Sequence, residues 1–276
     1  MTHNHDHEHE EGDFSLAYLD SHDGLTLLLI HGFPLSSGMW EPQLRELRDE
    51  LRVIAPDLRG HGHSDAPPPP YTMADYAEDI AGLLDHLAIQ GPFIVCGLSM
   101  GGYIALEFVR QFPEMVAGLV LTATRAGADS PEGKANRDKA AQTAREKGVA
   151  AIVDGMLPKL FSPKTQENSP DLVTAVRELM MLTSVDGMVG ALHAMKERVD
   201  STPMLPEIEV PTLIIHGADD QIVPVAEARA MAEAIPDVAL EILEDAGHLP
   251  NLEQPEEFND ILFDFIADVK AMLEDS

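Results

Sequence analysis

Residues 92–102 read Pro-Phe-Ile-Val-Cys-Gly-Leu-Ser-Met-Gly-Gly, and residues 103–112 continue Tyr-Ile-Ala-Leu-Glu-Phe-Val-Arg-Gln-Phe before Pro113. The first part is a short apolar run of the kind buried in a parallel sheet. The second carries apolar residues at helical spacing and stops at a proline. Between them lies a G-x-S-x-G turn, Gly97 to Gly101, which has chemical meaning only when it joins a strand to a helix. The turn is so tight that the neighbours of the serine must lack bulky side chains, which accounts for Gly97 and Gly101. Ser99 is therefore expected in a strained backbone conformation with its hydroxyl lifted above the sheet edge. The helix N-terminus beneath it supplies a partial positive field for a developing anion.

Outward from this turn, the same order of strand and helix recurs. LTLLLIHG (25–32), RVIAPD (52–57), PFIVCG (92–97), AGLVLTA (117–123), PTLIIHG (211–217) and VALEILED (238–245) are apolar runs suited to strands buried on both faces. Helical patterns lie near 41–50, 72–88, 100–112, 225–235 and 255–273, with Thr72 as a start signal and Pro113 as a stop. Repeated β-then-α order implies an α/β fold with a doubly wound, mostly parallel sheet.

The rhythm breaks once. Residues 124–206 carry no strand signal and read as helices separated by Gly and Pro, with Met156, Met180, Met181, Met188, Met195 and Met204 among them. An insertion of this size between two strands is expected over the carboxyl edge of the sheet, where ligands bind. The expected organisation is a core of residues 13–123 and 207–276, a helical cap of 124–206 and a disordered tail of 1–12. The methionines read as adaptable packing between cap and core, with some available to line an apolar pocket. The tail, MTHNHDHEHEEG, places His3, His5, His7 and His9 at alternate positions; a solvated tail is the reading preferred over a metal site.

Charge excludes several functions. Lys and Arg total 18 against 48 Asp and Glu, a formal net charge of −30. Such a surface repels phosphate backbones and anionic lipid, so neither nucleic acid nor membrane is an expected partner. No apolar run approaches bilayer length, residues 1–12 hold no apolar signal core, and Cys96 is the single cysteine. A cytoplasmic protein without disulfides is expected. The acidic excess, spread along the chain, suits either a salt-rich cell interior or an acidic protein of no special habitat.

The chain resembles the α/β-hydrolase superfamily from Leu25 onward. The resemblance rests on HGFP (31–34), DLRGHGHSD (57–65), GLSMGG (97–102), GADDQIVP (217–224) and DAGHLPNLEQP (245–255). It implies Ser99 as nucleophile and His248, in a Gly-His turn after the last strand, as the base that a hydroxyl of ordinary acidity needs. The third member is a carboxylate that fixes the imidazole tautomer. Asp219 and Asp220 are adjacent candidates; the family spacing G-x-x-D-x-x-x-P fits Gly217, Asp220 and Pro224, so Asp220 is chosen. The same resemblance implies an oxyanion hole built from the backbone N–H groups of Phe33 and Met100, with His31 and Gly32 shaping the loop. His22, His86 and His193 match no pattern, and His61 and His63 belong to a loop that shapes the sheet edge. No metal-ligand spacing appears in the body, Gly60-His61-Gly62 lacks the partners of a dinucleotide fingerprint, and no cofactor is expected.

Serine at the turn, rather than aspartate, points to acyl chemistry on a small-molecule ester or lactone. The motifs look most like carboxylesterases, with 3-oxoadipate enol-lactonases second. An enol-lactone of that kind carries a carboxylate, for which Arg125 is the candidate anchor; an ion-pairing role for Arg125 weighs equally. The cap holds no Trp, which favours the esterase. A non-catalytic binder on this fold usually lacks one member of the triad, and none is missing here.

Overall fold

In the computed structural model, which describes residues 14–21 and 24–274, seven strands form one sheet in the order β1-β3-β2-β4-β5-β6-β7. They are β1 (Tyr18–Asp20), β2 (Leu25–Ile30), β3 (Leu51–Pro56), β4 (Phe93–Leu98), β5 (Val116–Thr122), β6 (Thr212–Gly217) and β7 (Val238–Leu243). Every pairing is parallel except β1 with β3. The four central strands β2 to β5 are buried along nearly their whole length, as continuous apolar runs require. Two elements differ from the sequence expectation. β1 is three residues long with no apolar run to announce it. β7 alternates half-buried and exposed positions, because it is the sheet's edge and only one face is fully covered.

Before the interval after β5, the helices are α1 (Glu41–Leu47), α2 (Met73–His86) and α3 (Met100–Gln111). Thr72 caps α2 reciprocally: its hydroxyl accepts from the Asp75 N–H at 3.1 Å, and the Asp75 carboxylate accepts from the Thr72 N–H at 2.7 Å. The interval holds α4 (Pro131–Lys147), α5 (Val149–Leu160), α6 (Pro163–Asn168), α7 (Pro170–Met181) and α8 (Val185–Glu197), and no strand. Then come α9 (Val225–Ala234), α10 (Pro250–Glu253) and α11 (Pro255–Glu274). Met180, Met188 and Met195 are buried in the common core, whereas Met181 is exposed. Among the described residues no helix is long and apolar enough to cross a membrane. The expected tail and its histidines, and His22, lie outside the described residues.

Strand order decides where ligands can bind. From β2 the chain moves to β3 on one side and then returns past β2 to β4 on the other. The loops leaving β2 and β4 therefore diverge, and a crevice opens at their carboxyl ends. The helical insertion seats near it by direct backbone contact. A Cβ at Gly187 of α8 would lie 1.9 Å from the Gly60 carbonyl oxygen, so both positions must be bare for the loop after β3 to meet this helix.

Candidate active site

Ser99 stands between β4 and α3 with φ 56° and ψ −110°, a region that side-chain-bearing residues rarely adopt. Its neighbours explain why the strain persists. A Cβ at Gly97 would lie 2.2 Å from the Gly101 carbonyl oxygen, and one at Gly101 would lie 2.1 Å from that of Ile30. The Ser99 N–H donates to the Thr122 carbonyl at 2.8 Å, and the Thr124 hydroxyl donates to the Ser99 carbonyl at 2.8 Å. The backbone is thus held from both sides, and the hydroxyl is left to the crevice.

His248 reaches it. Its Nε2 lies 2.9 Å from Ser99 Oγ, and its Nδ1 lies 2.7 Å from Asp220 Oδ2. A carboxylate can only accept, so Nδ1 carries the proton and Nε2 presents a lone pair to the serine. The other Asp220 oxygen accepts from the N–H groups of Ile222 at 2.8 Å and Val223 at 3.0 Å. Burial alone would raise the Asp220 carboxyl, but His248 and these two N–H donors outweigh it and hold the group below its usual range. Asp219, by contrast, is exposed, and its N–H donates to the Ala246 carbonyl.

Phe33 follows β2 and Met100 opens α3, and the register sets Ile30 beside Gly97, so both residues belong to loops leaving neighbouring strand ends. Among the described residues neither N–H is committed to a backbone acceptor. The loop is pinned by His31, whose Nδ1–H donates to the Gly32 carbonyl at 2.9 Å while Nε2 accepts from the Leu58 N–H at 3.0 Å. Both bonds require a neutral ring, and burial lowers its pKa to about 4. His61 packs on it with ring centroids 5.2 Å apart.

The structure places Arg125 in an ion-pair cluster. Its Nη2 lies 2.7 Å from Asp129 Oδ1, and Arg198 and Arg137 hold the same carboxylate at 2.8 Å and 3.0 Å. The Arg198 guanidinium also stacks 4.2 Å from the Tyr103 ring centroid. Two groups near the triad escape a reading of motifs. His216 lies fully buried with its Nε2–H donating to the Val223 carbonyl at 2.8 Å, 3.4 Å from Asp220 Oδ2. No local signal marked it, since the contact depends on the turn that follows β6. Glu253 accepts N–H groups on both sides of His248. Nothing but its place in the Gly-His turn region marked it.

A hydroxyl, an imidazole and a buried carboxylate in series can draw a proton from Ser99. Residues 26–255 match the family model described as the alpha/beta hydrolase fold. The chain belongs to the α/β-hydrolase family. Its relatives include 3-oxoadipate enol-lactonase 2 of Acinetobacter baylyi, 34% identical over 86% of each chain. Among solved structures, a thermophilic esterase from Thermogutta terrifontis, with malate bound, is 42% identical with a TM-score of 0.91, covering 94% of this chain and 95% of that one. An enol-lactonase from Burkholderia xenovorans is 31% identical with a TM-score of 0.85, covering 92% and 97%. This α/β-hydrolase thus resembles both esterases and enol-lactonases.

Proposed function

We propose that this α/β-hydrolase cleaves small carboxylic esters through an acyl-enzyme on Ser99. The observation that carries the reading is the unbroken hydrogen-bond series from Asp220 through His248 to Ser99 Oγ. Ser99 attacks the acyl carbon while His248 Nε2 takes its proton, and Asp220 stabilises the imidazolium. The N–H groups of Phe33 and Met100, the second at the positive end of the twelve-residue α3, receive the oxyanion. His248 then returns the proton to the leaving alkoxide. A water molecule, deprotonated by the same nitrogen, releases the acid and restores Ser99.

An enol-lactone is the second substrate class, favoured by the enol-lactonase relatives. The neutral ester stands first because Arg125, the cation suited to the lactone's carboxylate, already faces Asp129. A cytoplasmic location fits the single thiol, Cys96, which is buried and needs no oxidising compartment. The test is hydrolysis of p-nitrophenyl acetate by wild type and Ser99→Ala. Loss of about 10³-fold or more in kcat with the fold intact is expected. Near-native turnover by freshly purified Ser99→Ala sinks the reading.

A further inference from the structure

The turn that carries His248 is tied to the helical insertion by one carboxylate. Glu253, the last residue of α10, accepts the Gly247 N–H at 2.8 Å and the Leu249 N–H at 3.3 Å on Oε1. Its Oε2 accepts the N–H of Ser162, the residue that caps α6 in the insertion, at 2.8 Å. The N–H of His248 itself donates to Leu160 at the end of α5, at 2.9 Å. Three successive backbone donors, on residues 247 to 249, thus end either on Glu253 or on the insertion. Contact here is close enough to exclude a methyl group: a Cβ at Gly247 would lie 2.6 Å from the Ser162 nitrogen and 2.7 Å from the Phe161 carbonyl carbon.

We infer that Glu253 is a positioning residue that couples the seating of the helical insertion to the alignment of His248; this rests on the Ser–His–Asp reading above. A short turn with unpaired N–H groups would flex, and an ionised acceptor holds such groups about twice as strongly as a neutral one. Displacement of the imidazole by about 1 Å costs on the order of 100-fold in rate. The carboxylate is required because both of its oxygens receive donors. An amide of the same shape keeps one arm and turns an NH2 group towards a backbone N–H on the other.

The experiment compares wild type, Glu253→Gln and Gly247→Ala, the last driving a wedge into the same joint with Glu253 intact. Four quantities are read: kcat and KM for p-nitrophenyl acetate, the rate at which a fluorophosphonate labels Ser99, the low-field proton resonance of the His248–Asp220 hydrogen bond, and the folded fraction in urea. Both variants are expected to lose about 10- to 100-fold in kcat and in labelling rate, with KM within about threefold. Each should stay folded at the assay temperature, with the low-field resonance broadened or lost. Rates within about twofold of wild type in folded Glu253→Gln overturn the inference, as does a loss fully accounted for by unfolded protein. Failure of the underlying reading is separate: it shows as wild type that takes no label at Ser99. The low-field resonance then still decides whether Glu253 aligns His248.

Discussion

Replacing Asp220 by Asn should nearly abolish turnover while leaving the loop in place. Oδ1 accepts two backbone N–H groups, from Ile222 and Val223. In the variant the amide oxygen must occupy that position, because the NH2 group cannot accept. The NH2 group is then forced against His248 Nδ1, where the carboxylate oxygen sat at 2.7 Å. Two donors cannot face each other, so the imidazole shifts its proton to Nε2 and offers Ser99 an N–H in place of a lone pair. The negative charge beside the developing imidazolium is lost as well. A comparable change elsewhere costs about 10⁴ in kcat, or about 5.5 kcal/mol at about 1.36 kcal/mol per decade. Asp219→Asn is the internal control: that side chain is exposed, and kcat should stay within about twofold of wild type. Initial rates with p-nitrophenyl acetate, beside urea unfolding of each variant, decide the matter. More than about a tenth of wild-type kcat in Asp220→Asn, or equal losses in the two variants, refutes the assignment.

Acid stability should carry the signature of buried neutral histidines, His31 and His61 foremost. Burial lowers His31 to about 4, and burial with the neighbouring His31 lowers His61 to about 3, against an ordinary 6.5. Below about pH 6.5 the unfolded chain takes up protons that the native state refuses. Stability from these groups is therefore complete above that pH and falls as pH drops towards the folded values, by about 1.4 kcal/mol per unit for each ring. His61→Asn should make the slope of unfolding free energy between pH 6 and 4.6 shallower by about one proton, and unchanged slopes in urea titrations count against it. Gly187→Ala should destabilise by about 1–3 kcal/mol, since its methyl overlaps the Gly60 carbonyl. Gly155→Ala, in α5 with nothing within 4 Å of the added carbon, should stabilise slightly; the same sign for both disproves the packing argument. Arg125→Ala should leave KM within about twofold for neutral ester and carboxylate-bearing lactone alike, because the cation is spent on Asp129. A tenfold rise for the lactone alone would restore it as a substrate anchor.

The frame was legible because its determinants are local. A strand buried on both faces must be mostly apolar, and β2, β4, β5 and β6 are; a tight strand-to-helix turn must have glycine beside the serine, and Gly97 and Gly101 are there. Ser99, Asp220 and His248 could be chosen from the order of motifs, and the structure brings the three within hydrogen-bond distance. What stayed hidden depends on partners distant in sequence. Arg125 gave two equal readings until Asp129, Arg137 from α4 and Arg198 from the end of α8 were seen to converge. Glu253 reads as one more solvated acid in a chain of 48 Asp and Glu, since nothing local predicts that Ser162 lies against it. His216 lies within β6, one residue from its end, and its approach to Asp220 depends on the turn between them.

These hidden contacts share one feature, the loops on which they land. The helical insertion donates from Thr183 to the Pro34 carbonyl in the loop after β2, and from Ser184 to the Gly60 carbonyl after β3. Just past α8, Ser201 donates to Ala126 after β5, and Arg198 to Gly127 beside it. In the loop after β7, His248 donates to Leu160. The loop after β2 also carries Phe33, and the loop after β7 also carries His248. The loop after β5 also carries Thr124, which holds the Ser99 carbonyl. An insertion fixed through loops that also position reacting groups cannot shift without moving those groups. Packing in such an interface is dense and switches between discrete arrangements rather than deforming smoothly. Substitutions on the insertion side of these joints should therefore register in kcat before they register in KM, even though the reacting atoms all belong to the sheet edge.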